Sequence, residues 1–128
     1  MFYYIDKVDK KSGKTHRNYF LQQGDSFALT AKVNAETEET VVSKIIFKLA
    51  NKVSECQFDS FYEKEYVYAD GIWTCFLSGE DTDKWTPTCA NNEQPYIYEI
   101  EAHYVDGGID TLEQAEFTIL PQIKNKED

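Results

Sequence analysis

Two histidines, three cysteines and twenty-three acids are the side chains this 128-residue chain offers to acid–base, nucleophilic or metal chemistry. A Ser or Cys nucleophile needs a histidine base and an orienting acid within hydrogen-bond reach. His16 and His103 lie far apart in the chain, and neither has a Ser or Cys partner at a spacing that marks such a group. A triad would require Cys75 or Cys89, one histidine and an acid to converge in space, and nothing in the sequence calls for that. His103 reads more simply as a polar-face strand residue, and no catalytic residue is assigned. Carboxylate pairs such as Glu99 and Glu101 would suit glycoside hydrolysis across a cleft, but in so acidic a chain such pairs arise by chance. The segment GEDTD places Glu80, Asp81 and Asp83 together, carboxylates of the kind that hold Ca²⁺. It lacks the longer spaced loop and later Glu of an EF-hand, so it reads as a solvated loop with no metal. GxGxxG and GxxxxGK[ST] are both missing, and no cofactor is expected.

Cys56, Cys75 and Cys89 are odd in number and lack C-x-x-C spacing, which favours free thiols in a reducing compartment. A Cys75–Cys89 disulfide is the alternative. Cys75 falls in an apolar strand pattern, where a thiol acts as a small hydrophobe, and Cys89 falls in a loop.

Aromatic residues form the one candidate binding surface. Trp85, Tyr62, Tyr66 and Tyr68 would together make a platform on which sugar rings stack, and Trp73 lies close by in sequence. The competing role is core packing, since aromatic side chains dominate the interior of small β domains. For Trp73, inside an apolar strand, core is favoured; for Trp85, in a polar loop, the two roles balance.

The elements that would position these groups are strands. Residues 95–121, PYIYEIEAHYVDGGIDTLEQAEFTILP, alternate with a period of two on either side of an Asp-Gly-Gly turn. Tyr96, Tyr98, Ile100, Ala102 and Tyr104 share one face; Glu99, Glu101 and His103 share the other. Leu112 and then Ala115, Phe117 and Ile119 are candidates for the buried side of the return strand. Asp106, Gly107 and Gly108 are expected to supply the positive φ angles of the turn. A long hairpin with one apolar face needs a second sheet to cover it. Further strands are expected over 1–8, 17–23, 26–33 (interrupted before it by Gly24 and Asp25), 41–49 and 72–77, with one or two more within 53–68. Residues 9–15 and 34–40 read as loops and 78–93 as the longest irregular connection. The strand at 72–77 is apolar on both faces, as in the centre of a sheet. The expectation is an all-β, immunoglobulin-like antiparallel β-sandwich of about seven to eight strands, without the Cys-Trp-Cys framework of antibody domains. One domain would span 1–121, followed by a polar tail at 122–128.

Composition sets bounds on partners. The chain is 41% hydrophobic and 15% aromatic, enough for a real core. Its formal charge of −10 argues against nucleic acid and against an anionic membrane surface, and fits a basic partner or none. The basic group Lys7, Lys10, Lys11, Lys14 and Arg17 reads as a solvated loop. No apolar run approaches the ~20 residues of a membrane span, and the start lacks the layout of a signal peptide.

Taken in order, QGDSFALTAKV at 23–33, KIIFKLA at 44–50, DGIWTCFLSGEDT at 70–82 and YIYEIEAHYVDGGIDTLEQAEFTILP at 96–121 resemble the small immunoglobulin-like modules of tailed bacteriophages and prophages. These include the amino-terminal domain of phage baseplate upper proteins. The likeness is one of pattern and order, carried by a Gly-Asp pair opening an early strand, an Asp-Thr pair before the last hairpin, and a Tyr-rich strand leading to Phe-x-Ile-Leu-Pro. The chain departs from that pattern at Gln114 and in the long aromatic stretch 56–68. The resemblance implies a structural tail module rather than an enzyme. It implies synthesis in the bacterial cytoplasm, a place in the virion, and partners among tail or baseplate subunits or further copies of the chain. It carries Gly24–Asp25 and Asp81–Thr82 over as structural positions, with Asp25 bonding nearby backbone N–H groups and Thr82 capping its loop.

Overall fold

In a computed structural model of the protein, residues 2–5, 18–31, 41–91 and 93–122 are described. The expected turn at 9–15, the basic group Lys7 to Arg17, His16, the loop at 34–40 and the tail beyond Gln122 lie outside them. The described residues form strands β1 (Phe2–Ile5), β2 (Tyr19–Gln22), β3 (Phe27–Ala31), β4 (Val42–Ser54), β5 (Gln57–Glu65), β6 (Val67–Ala69) and β7 (Ile72–Leu77). After β7 come a short helix α1 (Gly79–Asp83), a 3-10 turn (Thr88–Ala90), then β8 (Tyr96–Tyr104) and β9 (Ile109–Leu120). A four-stranded sheet β1-β3-β7-β6 faces a five-stranded sheet β2-β9-β8-β4-β5. The all-β sandwich is therefore as expected; β1-β3-β7-β6 and β9-β8-β4-β5 follow the A-B-E-D and G-F-C-C′ orders of immunoglobulin-type domains, with β2 added beside β9 and with β1 parallel to β3 where those sheets are antiparallel.

Strands joined by tight turns pair antiparallel, but β1 pairs β3 and β2 pairs β9 in parallel. Parallel pairing needs a long connection between partners, which these sequence-distant pairs have and hairpins do not. Alternation along single strands carries no sign of it.

The core is one cluster drawn from both sheets, with Tyr19, Phe27, Phe47, Tyr98 and Phe117 among its largest buried side chains. On β8 the expected alternation holds throughout: Tyr96, Tyr98, Ile100, Ala102 and Tyr104 are all buried. On β9 the register slips between Ile100 and Glu101, which pair with Glu113 and Thr111, leaving Leu112 as the extra residue of a bulge. A bulge lets two successive side chains face the same way, and both Leu112 and Glu113 are buried. The turn differs from expectation in one respect. Gly107 alone adopts a positive φ, +95°; Asp106 contributes instead through Oδ1, which accepts the Gly108 N–H at 2.8 Å. A single left-handed residue suffices because the connection is four residues long rather than two.

Two regions differ from the sequence reading. β4 continues to Ser54 and pairs with β5 in a hairpin whose outer half is exposed. The connection after β7 is partly ordered: the Ser78 hydroxyl accepts the Asp81 N–H at 3.1 Å and so caps α1. At the start of β8, the Tyr96 hydroxyl donates to the Thr86 carbonyl at 2.6 Å, the arrangement of a tyrosine corner. Two residues on, where antibody domains carry their second cysteine, stands Tyr98. β7 does lie inside its sheet, between β3 and β6; Cys75 and Leu77 are buried inward and Trp73 packs half-buried against the core, as expected for it, while Ile72 and Phe76 are exposed on the outer face.

Candidate functional site: the two sheet faces

The expected aromatic surface is not one surface. Trp85, at 5% exposure, closes the core, with its ring 5.0 Å from Tyr62 and 6.1 Å from Phe117. Tyr66 is also 5% exposed and sits among the core residues. Tyr62 is half-buried against Trp85 and Phe47. Of the four, Tyr68 alone is exposed, at 57%, and it belongs to the opposite sheet, against the half-buried Trp73 at 4.8 Å. Trp85 is buried although its neighbours in sequence are polar, because the segment after α1 folds back under the sandwich. The Gln23 side chain fixes that fold by donating to the Asp83 and Trp85 carbonyls at 3.1 and 3.0 Å.

The two motif pairs, far apart in sequence, meet at this end. Gly24 turns with φ +86°, and the Asp25 N–H donates to the Gln22 carbonyl at 3.0 Å. Buried Thr82 donates its hydroxyl to the Asp25 carbonyl at 2.8 Å. Asp25 thus takes part through its backbone, and Thr82 reaches Asp25 as well as its own helix, where it also contacts the Gly79 carbonyl at 3.2 Å. Asp81, on α1, lies 3.7 Å from Lys64 and 3.5 Å from the Tyr62 hydroxyl.

The groups considered for catalysis are dispersed. The His103 ring is 2.7 Å from Glu101, whose carboxylate also pairs with Lys48 at 3.4 Å. Glu99 accepts the Thr111 hydroxyl at 3.0 Å. His103 pairs with Ile109 at one end of β9, while the turn carrying Cys89 is tied to the other end by the bond from the Ile119 N–H to Thr88. At about 3.3 Å per residue that separation is about 33 Å. All three cysteines are free, Cys56 and Cys89 exposed and Cys75 buried. Burial pushes the Cys75 thiol up to about 12, against the opposing pull of Lys64, so it is not a thiolate nucleophile. Among the described residues, no group of three or more His, Cys, Asp or Glu is arranged to hold a metal ion.

What the structure brings together instead are two contrasting faces. On the outside of the five-stranded sheet, Lys44 pairs with Glu65 at 3.9 Å, and Lys48 pairs with Glu101 at 3.4 Å with the His103 ring beside that carboxylate. The four-stranded sheet differs. Opposite its core-facing Leu29, Cys75 and Leu77, the register aligns Ala28 with Phe76, Thr30 and Val67 with Thr74, and Ala69 with Ile72. No strand position on that outer face of β3, β7 and β6 carries a charge, and Phe76 (52%), Val67 and Ile72 are exposed. The apolar outer positions of β7 were visible in the sequence, but they read as a strand covered on both sides.

The free edges differ too. β5 carries Asp59, Glu63, Lys64 and Glu65 and a bulge at Phe61, both devices that discourage strand addition. β6, one edge of the four-stranded sheet, is a short uncharged strand. Compared with protein-family models and with curated proteins, the sequence has no match.

Proposed function

We propose that this chain is a non-enzymatic structural module of a phage or prophage tail particle, of baseplate type, that works through protein–protein contacts. The observation that carries the reading is the uncharged outer face of β3, β7 and β6, with Phe76, Ile72 and Val67 in solvent. In a chain of net charge −10, an exposed sheet face without charge is a surface suited to burial against another protein. The sequence resemblance to immunoglobulin-like tail modules and the sandwich with its immunoglobulin strand order support the particle context. The partners are other tail or baseplate subunits, or further copies of the chain, and the place of action is the virion after synthesis in the bacterial cytoplasm.

A carbohydrate-binding module would need Trp85, Tyr62, Tyr66 and Tyr68 in solvent together, and burial removes Trp85 and Tyr66 from that role. The deciding experiment is light scattering over a concentration series, alone and after co-expression with the neighbouring genes. A stable multimer, or a complex with a tail-gene product, is the expected result. A monomer that ignores those neighbours and binds a glycan on an array would overturn the reading.

A further inference from the structure

Two Asp-Gly dipeptides stand at hairpin turns, Asp70–Gly71 between β6 and β7 and Asp106–Gly107 between β8 and β9. An aspartate followed by glycine is open to a rearrangement of its own main chain, because the glycine has no side chain to shield its nitrogen. That nitrogen attacks the aspartate Cγ: a C–N bond forms, the nitrogen loses its proton, and one carboxyl oxygen leaves as water. The product is a five-membered succinimide. Water then adds at one of its two carbonyls and breaks one C–N bond. Opening at Cγ restores aspartate, whereas opening at the main-chain carbonyl leaves the chain running through the side chain as isoaspartate. One water leaves and one returns, and nothing is oxidised or reduced.

The two turns differ in what holds them. At the second, the Gly107 N–H donates to the Tyr104 carbonyl at 3.0 Å, and Asp106 Oδ1 accepts the Gly108 N–H at 2.8 Å. The attacking nitrogen and the carboxyl it must reach are both engaged. The Tyr104 N–H also donates to the Gly108 carbonyl at 2.8 Å, closing the turn. Its hairpin, β8 with β9, has eight register pairs and lies inside the five-stranded sheet.

The first turn is built otherwise. Its ladder closes at Ala69 with Ile72, leaving Asp70 and Gly71 outside the pairing. Their φ angles of +51° and +81° are those of a type I′ turn, and the left-handed region is disfavoured for any residue with a Cβ. Both residues are exposed. A Cβ on Gly71 would meet no atom within 4 Å, so the space around it is open. The strand that must hold this turn, β6, has three register pairs, lies at the sheet edge, and is exposed at every residue. Local opening costs least where pairs are few and burial is slight, and the attack needs such an opening.

We infer that Asp70–Gly71 is a site of spontaneous isoaspartate formation, and that the fold protects the same dipeptide at Asp106–Gly107. Isoaspartate adds one main-chain atom to a turn that spans only two residues. The change therefore loosens β6 from β7 and shifts Val67 against Ile72 on the uncharged outer face.

The test ages the intact wild-type chain at neutral pH, folded and in urea, and follows both turns by peptide mapping with electron-transfer fragmentation, which distinguishes isoaspartate from aspartate. In the folded chain isoaspartate is expected to accumulate at position 70 at least about tenfold faster than at 106, since the second turn has two more hydrogen bonds to break. In urea the two rates are expected to converge. No isoaspartate at position 70, an equal or faster rate at 106 in the folded chain, or the same ratio in urea as in the fold would each overturn the inference.

Discussion

Glu113 is the residue on which the interior of this protein turns. A carboxyl in an apolar core is tolerated only where hydrogen bonds replace its hydration, and here Tyr98 and Tyr19 supply them. Tyr98→Phe preserves the ring packing against Phe47 and Phe117 and removes one donor. It is expected to destabilise the fold by about 1–3 kcal/mol, the range for a buried acceptor losing a partner, read as a lower urea midpoint at unchanged slope. Burial also tunes the weak acids. Cys75 is held up to about 12 from an ordinary 9.0. Tyr104, buried and facing Asp110, is held up to about 12 from 10.0, and Tyr62, Tyr66, Tyr96 and Tyr98 are raised as well. Each stays neutral in the fold where it would ionise in the unfolded chain, so above those ordinary values unfolding releases protons. Stability is expected to be full below about pH 9 and to fall as pH rises from there towards 12, the thiol acting first. Urea midpoints at half-unit steps between pH 8 and 11 check this.

At the scale of elements, the meeting of the Gly24 turn with α1 is the tightest junction. A Cβ on Gly79 would lie 2.5 Å from the Gly24 carbonyl oxygen, a backbone atom that cannot swing aside. Gly79→Ala is expected to cost about 1–3 kcal/mol as overpacking, measured by thermal or urea unfolding. Little of this junction was legible, because Gly24–Asp25 and Asp81–Thr82 are far apart in sequence and meet only once the sheets have packed. What could be read were the strands with one wet and one dry face: β8 and most of β3 and β9 declare themselves by alternation. The bulge was half visible, in that the apolar positions change parity between Leu112 and Ala115, but a charged residue in that gap reads as outward. β5 resisted assignment because its first half, at the sheet edge, is in solvent on both faces and keeps no alternation. α1 is too short for a helical period, though Ser78 three residues before Asp81 is a capping signal. The candidate aromatic site was misjudged for one reason: Trp85 sits among polar neighbours, and the contacts that bury it, from Tyr62 and Phe117, come from elsewhere in the chain.

For the whole molecule, the asymmetry between faces matters most. The five-stranded sheet turns charge to solvent, and the four-stranded sheet turns Val67, Ile72 and Phe76. Phe76→Glu is expected to leave monomer stability within about 0.5 kcal/mol, as for a surface position, while abolishing whatever assembly the wild type shows. Unfolding curves and light scattering on the same samples separate the two effects. The parallel seam of β2 with β9 has a consequence of another kind. Tyr19 pairs with Phe117 across the sheet, and its hydroxyl bond to Glu113 spans 94 residues. On a ribosome making roughly 5–20 residues per second, Tyr19 and Leu21 therefore wait several seconds for the strand that covers them. Closure is one late, non-local event, slow by topology, and the interval before it is when a half-made chain is most open to capture by a chaperone or by another copy of itself.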